Sequence, residues 1–233
     1  MSKQAAIDLL AANRNERGIA SWGRLGQDAT GLTTFGIGLT QLRKLAKKIG
    51  RDHALAVELW QSDIYDARVI ALLIDDPGSI TREQAEQQVE DLGAGMLSHV
   101  FASCDATLAK TPFVVEIAHD WIRSDDVVRR VCGYGLLYEI SKFKGGKAPA
   151  EPYFLEHVER IDRTIDGEPT TVRMAMGNAL MGIGKRSATL NAAALAVAER
   201  VGPIEFESAS GTCEPFDVAK HLTTDRLKEK LGA

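Results

Sequence analysis

Arg130 and Arg173 each stand near the start of an apolar helical stretch, and the two stretches read as one helix written twice. Val128, Gly133 and Leu136 recur as Val172, Gly177 and Leu180, each 44 positions on. The second copy runs into Lys185 and Arg186, and an earlier helix carries Arg43, Lys44 and Lys47. A guanidinium offers a planar fork of donors that matches phosphate, and an ammonium adds a compact positive charge. Cations gathered at repeated helix ends therefore point to the backbone of a polyanion. The same placements also suit a plainer role, since charges at helix ends answer the dipole and buried arginines tie neighbouring repeats together.

Other reactive residues say less. Cys104, Cys132 and Cys213 are odd in number and unrelated in spacing, which argues against a disulfide framework or a zinc site and for reduced thiols. No histidine base is identifiable by spacing for Cys213, so thiol catalysis is not expected. The net charge of −4 means that no global basic field advertises nucleic acid, and a DNA binder of this composition must collect its Lys and Arg on one face. The first residues lack an apolar signal core and no run approaches membrane-spanning length; a cytoplasmic protein with no membrane partner is expected.

The positioning elements are helices. A period of about 40 to 47 residues is that of stacked helix pairs of the HEAT and armadillo kind, which bury their apolar faces only by stacking. Helices are predicted over 5–13, 40–49 (apolar stripe Leu42, Leu45, Ala46 and Ile49, stopped by Gly50), 53–61 and 64–74, the last stopped by Asp76-Pro77-Gly78. Thr81 with Gln84 reads as a capping box for a helix reaching Leu92. Further helices are expected over 97–110, from Thr111-Pro112 onward, around Val128, over 153–161, around Val172, over 190–201 and after Thr224. The Gly-rich stretch 14–38 resists assignment, and 144–149 and 202–216 read as loops. Mid-helix Gly133 and Gly177, each about 1 kcal/mol worse than Ala, imply close approach of a neighbour. Trp60 and Trp121 fall on apolar faces and read as core. The whole is an all-α chain of roughly a dozen helices, one domain over 1–233, in an α–α superhelix.

Gly36-Ile37, then Leu42-Arg43-Lys44-Leu45-Ala46-Lys47, Asp52-His53-Ala54-Leu55-Ala56 and Leu59-Trp60, resemble the opening of the AlkD-like DNA alkylation repair proteins. Tyr65-Asp66-Ala67-Arg68, Ala71-Leu72-Leu73, Asn178-Ala179-Leu180 and Ile183-Gly184-Lys185-Arg186 match further phrases, so the likeness runs from about Gly36 to Lys185. The resemblance implies a HEAT-like repeat solenoid gripping duplex DNA by its backbone on a concave face. It also implies hydrolysis of the N-glycosidic bond of cationic alkylated purines, with no metal and no organic cofactor. By the same resemblance Arg130 lies where the family contacts the DNA backbone, and Arg173, Lys185 and Arg186 occupy corresponding ends of the next repeat.

The chain departs from the family at its chemical residues. In the register that best fits the flanks, a family Trp is replaced by Gly95, the catalytic Asp by His99, and a second Trp by Asn178. Breaking a glycosidic bond to a cationic base builds positive charge on the sugar, which an adjacent anion stabilises. Histidine is mostly neutral near pH 7 and cationic below about 6.5, so it does not replace a carboxylate, though it could act as a base toward water. Gly95 and Asn178 offer no aromatic face to a cationic base. Asp91 and Asp105 are the nearest carboxylates in sequence. Three classes follow: a glycosylase with a rebuilt site, a noncatalytic DNA binder reading distorted or branched structures, and a HEAT-repeat scaffold for a protein partner, which the net charge of −4 favours.

Overall fold

The computed structural model describes residues 1–103, 106–206 and 214–232. Cys104, Asp105 and Cys213 lie outside them, as does the middle of the loop expected over 202–216. The described residues form α-helices joined by short 3-10 turns, with isolated bridges pairing Thr33 with Ile64 and Ile204 with Phe216 and no strand. They sort into two compact units, Met1–Phe113 and Val114–Ala233.

The first unit contains α1 (Lys3–Ala11), α2 (Glu16–Arg24), α3 (Leu39–Ile49), α4 (His53–Trp60), α5 (Tyr65–Ile74), α6 (Arg82–Val89) and α7 (Leu97–Ala102). Helix α5 is its axis: seven of its ten residues are buried, and α1, α3, α4 and α7 pack on it. Such a helix is apolar nearly all round because it has no solvent face. The 14–38 stretch is ordered from a distance. Asp66, fully buried on α5, accepts hydrogen bonds from Thr34 Oγ1 (2.7 Å) and from the backbone N–H groups of Phe35 (2.7 Å) and Ile37 (3.0 Å). Trp22 of α2 then packs against Tyr65 with ring centroids 4.6 Å apart. Trp60 is half-buried rather than core, with the Arg68 guanidinium 5.3 Å above its ring.

The second unit contains α8 (Val114–Ile122), α9 (Val127–Ile140), α10 (Glu151–Thr164), α11 (Thr170–Ile183), α12 (Ala188–Val201), α13 (Val218–Leu222) and α14 (Asp225–Leu231). Helix α9 packs on α8 and α11, and α10 on α12, so two rows of helices form with α9 and α11 as the inner pair. The repeated glycines explain the close fit. A Cβ on Gly133 would stand 2.7 Å from the backbone nitrogen of Ile122, and one on Gly177 would stand 2.9 Å from the Phe216 ring and 3.0 Å from Ile204. The first copy therefore meets a helix, and the second meets the bridged Ile204–Phe216 segment. Between the rows, His157 is 1% exposed, packs edge-on against Tyr153 (4.6 Å) and has no hydrogen-bond partner for either ring nitrogen among the described residues. Burial first, then the Arg123 guanidinium, pushes its pKa down to about 4.

Two expected boundaries shift and one expected cap forms only in part, each for a local reason. Thr111-Pro112 does not open α8, which starts at Val114: Thr111 is extended and its hydroxyl turns back to the Leu108 carbonyl (2.8 Å). The helix expected over 97–110 stops at Ala102, where Ser103 becomes extended, and a 3-10 turn covers Leu108–Lys110. Thr81 does cap α6 by accepting from Gln84 N–H (3.1 Å), but the Gln84 amide goes to Asp75 (2.7 Å) instead of closing the box.

Candidate nucleic-acid interface

In the first unit, the segment that the resemblance sets against the family's Trp and Asp is built around a missing side chain. Gly95 has φ +51°, and a Cβ there would lie 2.8 Å from the Tyr65 ring. Its N–H donates to Gln27 Oε1 (2.7 Å), and the next N–H, of Met96, donates to the Tyr65 hydroxyl (3.1 Å). Burial raises the Tyr65 pKa, so the phenol stays neutral. A tryptophan at 95 needs both the left-handed backbone and the volume that Tyr65 fills. His99 is half-buried in the first turn of α7, its carbonyl accepting from Ser103 N–H (2.9 Å), and Asp91 lies exposed beyond α6. On α3 the stripe Leu42, Leu45 and Ala46 faces the core; Lys44 and Lys47 are exposed and Arg43 is partly so. None of the three forms an ion pair among the described residues.

In the second unit, the N-terminal ends of the doubled helices hold their cations inward. Arg130 directs Nε and Nη2 at Glu168 Oε2 (3.0 Å each) and donates Nη1 to the Ser124 carbonyl (2.9 Å). The two side chains are only 16% and 14% exposed, and Glu168 lies next to Pro169, the N-cap of α11, where the helix dipole favours an anion. The pair thus ties the first turn of α9 to the start of α11. Arg173 buries its Nε without a hydrogen-bond partner among the described residues. Asn178 spends its amide on the Met174 carbonyl one turn back (3.0 Å).

The C-terminal ends of the same helices do the opposite. They border a cavity of about 520 Å³ lined by Lys142, Lys144, Lys185, Arg186 and Lys230, with Tyr138. Gly182 lets the helix ends meet, since a Cβ there would lie 2.8 Å from the Tyr138 ring and closer still to Ser141 Oγ. Arg186 donates to the carbonyls of Ser141 and Phe143 and lies 4.2 Å above the Phe154 ring. That fixes the guanidinium at the end of α9, where it offsets the negative pole of the helix. Burial lowers the Arg186 pKa, and the Glu151 carboxylate partly opposes that. Lys230 of α14 donates to the Lys185 carbonyl (2.8 Å). Burial, then the Lys230 ammonium, lowers the Lys185 pKa. Lys142 pairs with Glu139 (2.8 Å) and covers the Tyr138 ring at 4.3 Å. Lys144 and Lys185 have no acidic partner among the described residues.

Of the residues singled out in the sequence, Lys185 and Arg186 thus come together, while Arg130 and Arg173 do not join them at this cavity. Sequence reasoning missed Lys142, Lys144 and Lys230. The repeat itself held one signal, because Lys142 precedes Arg186 by the same 44 positions. Nothing local marks Lys230, which arrives on a separate helix.

Residues 6–209 match the model of a family described as DNA alkylation repair enzyme. The chain is 24% identical over 213 residues to Lmo0209 of Listeria monocytogenes, covering 85% of this chain and 86% of that one. It is likewise 24% identical over 209 residues to Lin0241 of Listeria innocua, covering 84% of each. Among solved structures it resembles, with TM-score 0.80 and 23% identity over all of this chain and 97% of the other, a protein described as one of a new family related to the HEAT-like repeat DNA glycosylases with affinity for branched DNA structures. The likeness establishes the all-α, HEAT-like repeat fold expected from the 44-residue period.

Proposed function

The chain belongs to the DNA alkylation repair family, and we propose that it binds DNA through phosphate contacts without hydrolysing the glycosidic bond of an alkylated purine. The observation that carries the binding half is the cavity at the ends of α9 and α11, lined by five cationic side chains, of which Lys142 pairs with Glu139 and Arg186 lies in the field of Glu151. The basic residues are gathered there although the chain as a whole is acidic, at net charge −4. A DNA binder of this composition requires that arrangement.

The noncatalytic half rests on the first unit. Stabilising a developing positive charge on the sugar requires a preorganised anion. At the aligned position the chain offers His99, and Tyr65 closes over Gly95 where the aromatic partner of the base would stand. The related proteins with affinity for branched DNA suggest the substrate: a junction is bound more tightly than a linear duplex of equal length.

Two measurements test this. In a mobility-shift titration, log affinity falls linearly with log salt as counterions are displaced, and a branched DNA outcompetes linear duplex. Incubated in excess with methylated duplex, the protein releases no methylated purine; release with ordinary saturation behaviour ends the noncatalytic reading, and salt-independent binding ends the phosphate one.

A further inference from the structure

We propose that the cavity at the ends of α9 and α11 receives a terminal phosphomonoester of a nucleotide, the phosphorylated end of a DNA strand. This rests on the DNA-binding reading above and narrows it to one chemical group.

The walls come from distant parts of the unit: Tyr138 and Lys142 at the end of α9, Lys144 in the following loop, Lys185 and Arg186 after α11, and Lys230 on α14. The volume, about 520 Å³, falls within the range of pockets that enclose a small molecule. Arg186 is clamped by two carbonyls and a phenyl face, so it supplies a fixed positive wall. Lys185 is held half-buried beside the Lys230 ammonium with no carboxylate to neutralise it among the described residues. A like-charged pair kept together in a partly dry site is stabilised by an anion between them. Lys230 uses one donor on the Lys185 carbonyl, and an ammonium has three, so donors remain.

Charge decides which phosphate. Among the described residues, five cations line the cavity, with Glu139 paired to Lys142 and Glu151 acting on Arg186, which leaves a positive excess larger than one unit. A backbone phosphodiester brings a single negative charge, whereas a phosphomonoester carries about −1.5 to −2 at pH 7 and three strong acceptor oxygens. Phe143 and Ala148 give the adjoining sugar or base an apolar wall. Gly145, at the rim, has open space where a Cβ would stand, so the entrance is unobstructed there.

The test is fluorescence anisotropy with a hairpin duplex, dye in the loop, whose open end carries either a phosphate or a hydroxyl. Calorimetry with a deoxynucleoside monophosphate and its nucleoside runs in parallel. The phosphorylated end binds about tenfold more tightly, and the K185A/K230A double variant abolishes that difference. Lys144→Glu, on an exposed loop, diminishes the same difference without touching a helix and guards against a folding artefact. Equal affinity for both ends, with DNA binding intact, overturns the pocket and leaves the DNA reading standing. If no DNA binds but the monophosphate does, and K185A/K230A abolishes that binding, the DNA reading falls and the pocket stands as a receptor for free nucleotide. Binding of neither overturns both.

Discussion

The same two helices, α9 and α11, treat positive charge in opposite ways at their two ends. At the N-terminal ends Arg130 is enclosed and paired with Glu168, and Arg173 is drawn into the protein. At the C-terminal ends Lys185, Arg186 and Lys230 line an open cavity with Lys142 and Lys144. Electrostatics explains the asymmetry. A helix N-terminus is the positive pole, so an arginine there needs a carboxylate, and Glu168 sits at the start of α11 to provide it. A C-terminus welcomes cations, so lysines accumulate there, and Lys144 and Lys185 have no acidic partner among the described residues. On the reading proposed above, the enclosed basic groups of this unit serve the fold and the open ones meet phosphate.

The largest effect expected from that division belongs to His157, enclosed as a neutral ring. Its folded pKa of about 4 lies below the unfolded value near 6.5, so the unfolded chain binds the extra proton first as pH falls. The stability it contributes is present above about pH 6.5 and lost on descent toward pH 4, on the order of 3 kcal/mol. Urea denaturation between pH 7 and 4.5 should show this loss, and His157→Leu should flatten that part of the curve. An unchanged slope in the variant assigns the acid sensitivity elsewhere.

Next comes Arg130→Ala. It strands the Glu168 carboxylate and the Ser124 carbonyl in a mostly enclosed setting and should cost about 2 kcal/mol, less than a fully buried pair because some solvent reaches both partners. Glu168→Ala added to it should recover part of that loss, which a double-mutant cycle reads directly. If instead Arg130→Ala leaves stability intact and removes DNA binding, the comparison between the two ends is reversed.

These residues also show where sequence stops speaking. The 44-residue period, Gly50 as a helix stop and the crowding at Gly133 were legible because each is local or repeated. The 14–38 segment was not, since its order is imposed by Asp66 from a helix about thirty residues away in sequence and by Trp22 packing on Tyr65. Arg130 could be placed on a repeat but not in a role, because its partner Glu168 lies 38 residues on. The cavity was half legible: Lys185-Arg186 stood out as a pair, while Lys230 joins them only through the docking of α14. Gly95 could be read as a lost tryptophan, yet only the contact with Tyr65 shows that the space is filled.

The open cations carry the opposite signature in measurement. Removing Lys185 and Lys230 together should shift folding stability by less than about 0.5 kcal/mol, as surface changes usually do. It should nevertheless flatten the slope of log affinity against log salt by about 2, about one unit for each phosphate-contacting lysine removed. A drop in stability of the size expected for Arg130→Ala would make these lysines structural and erase the contrast.

The smallest expected effect is on α3, in the other unit. Lys44 and Lys47 are exposed and without an ion pair among the described residues, so Lys44→Ala and Lys47→Ala should leave urea denaturation unchanged. If α3 touches phosphate, each variant lowers the salt slope by about 1 and weakens all sequences alike, because an ammonium on a phosphate reads no base. A full slope in both variants removes α3 from the DNA interface. The lysines of α3 are then solvating charge, unlike the helix ends around Lys185, which combine open cations with a shaped cavity to hold them.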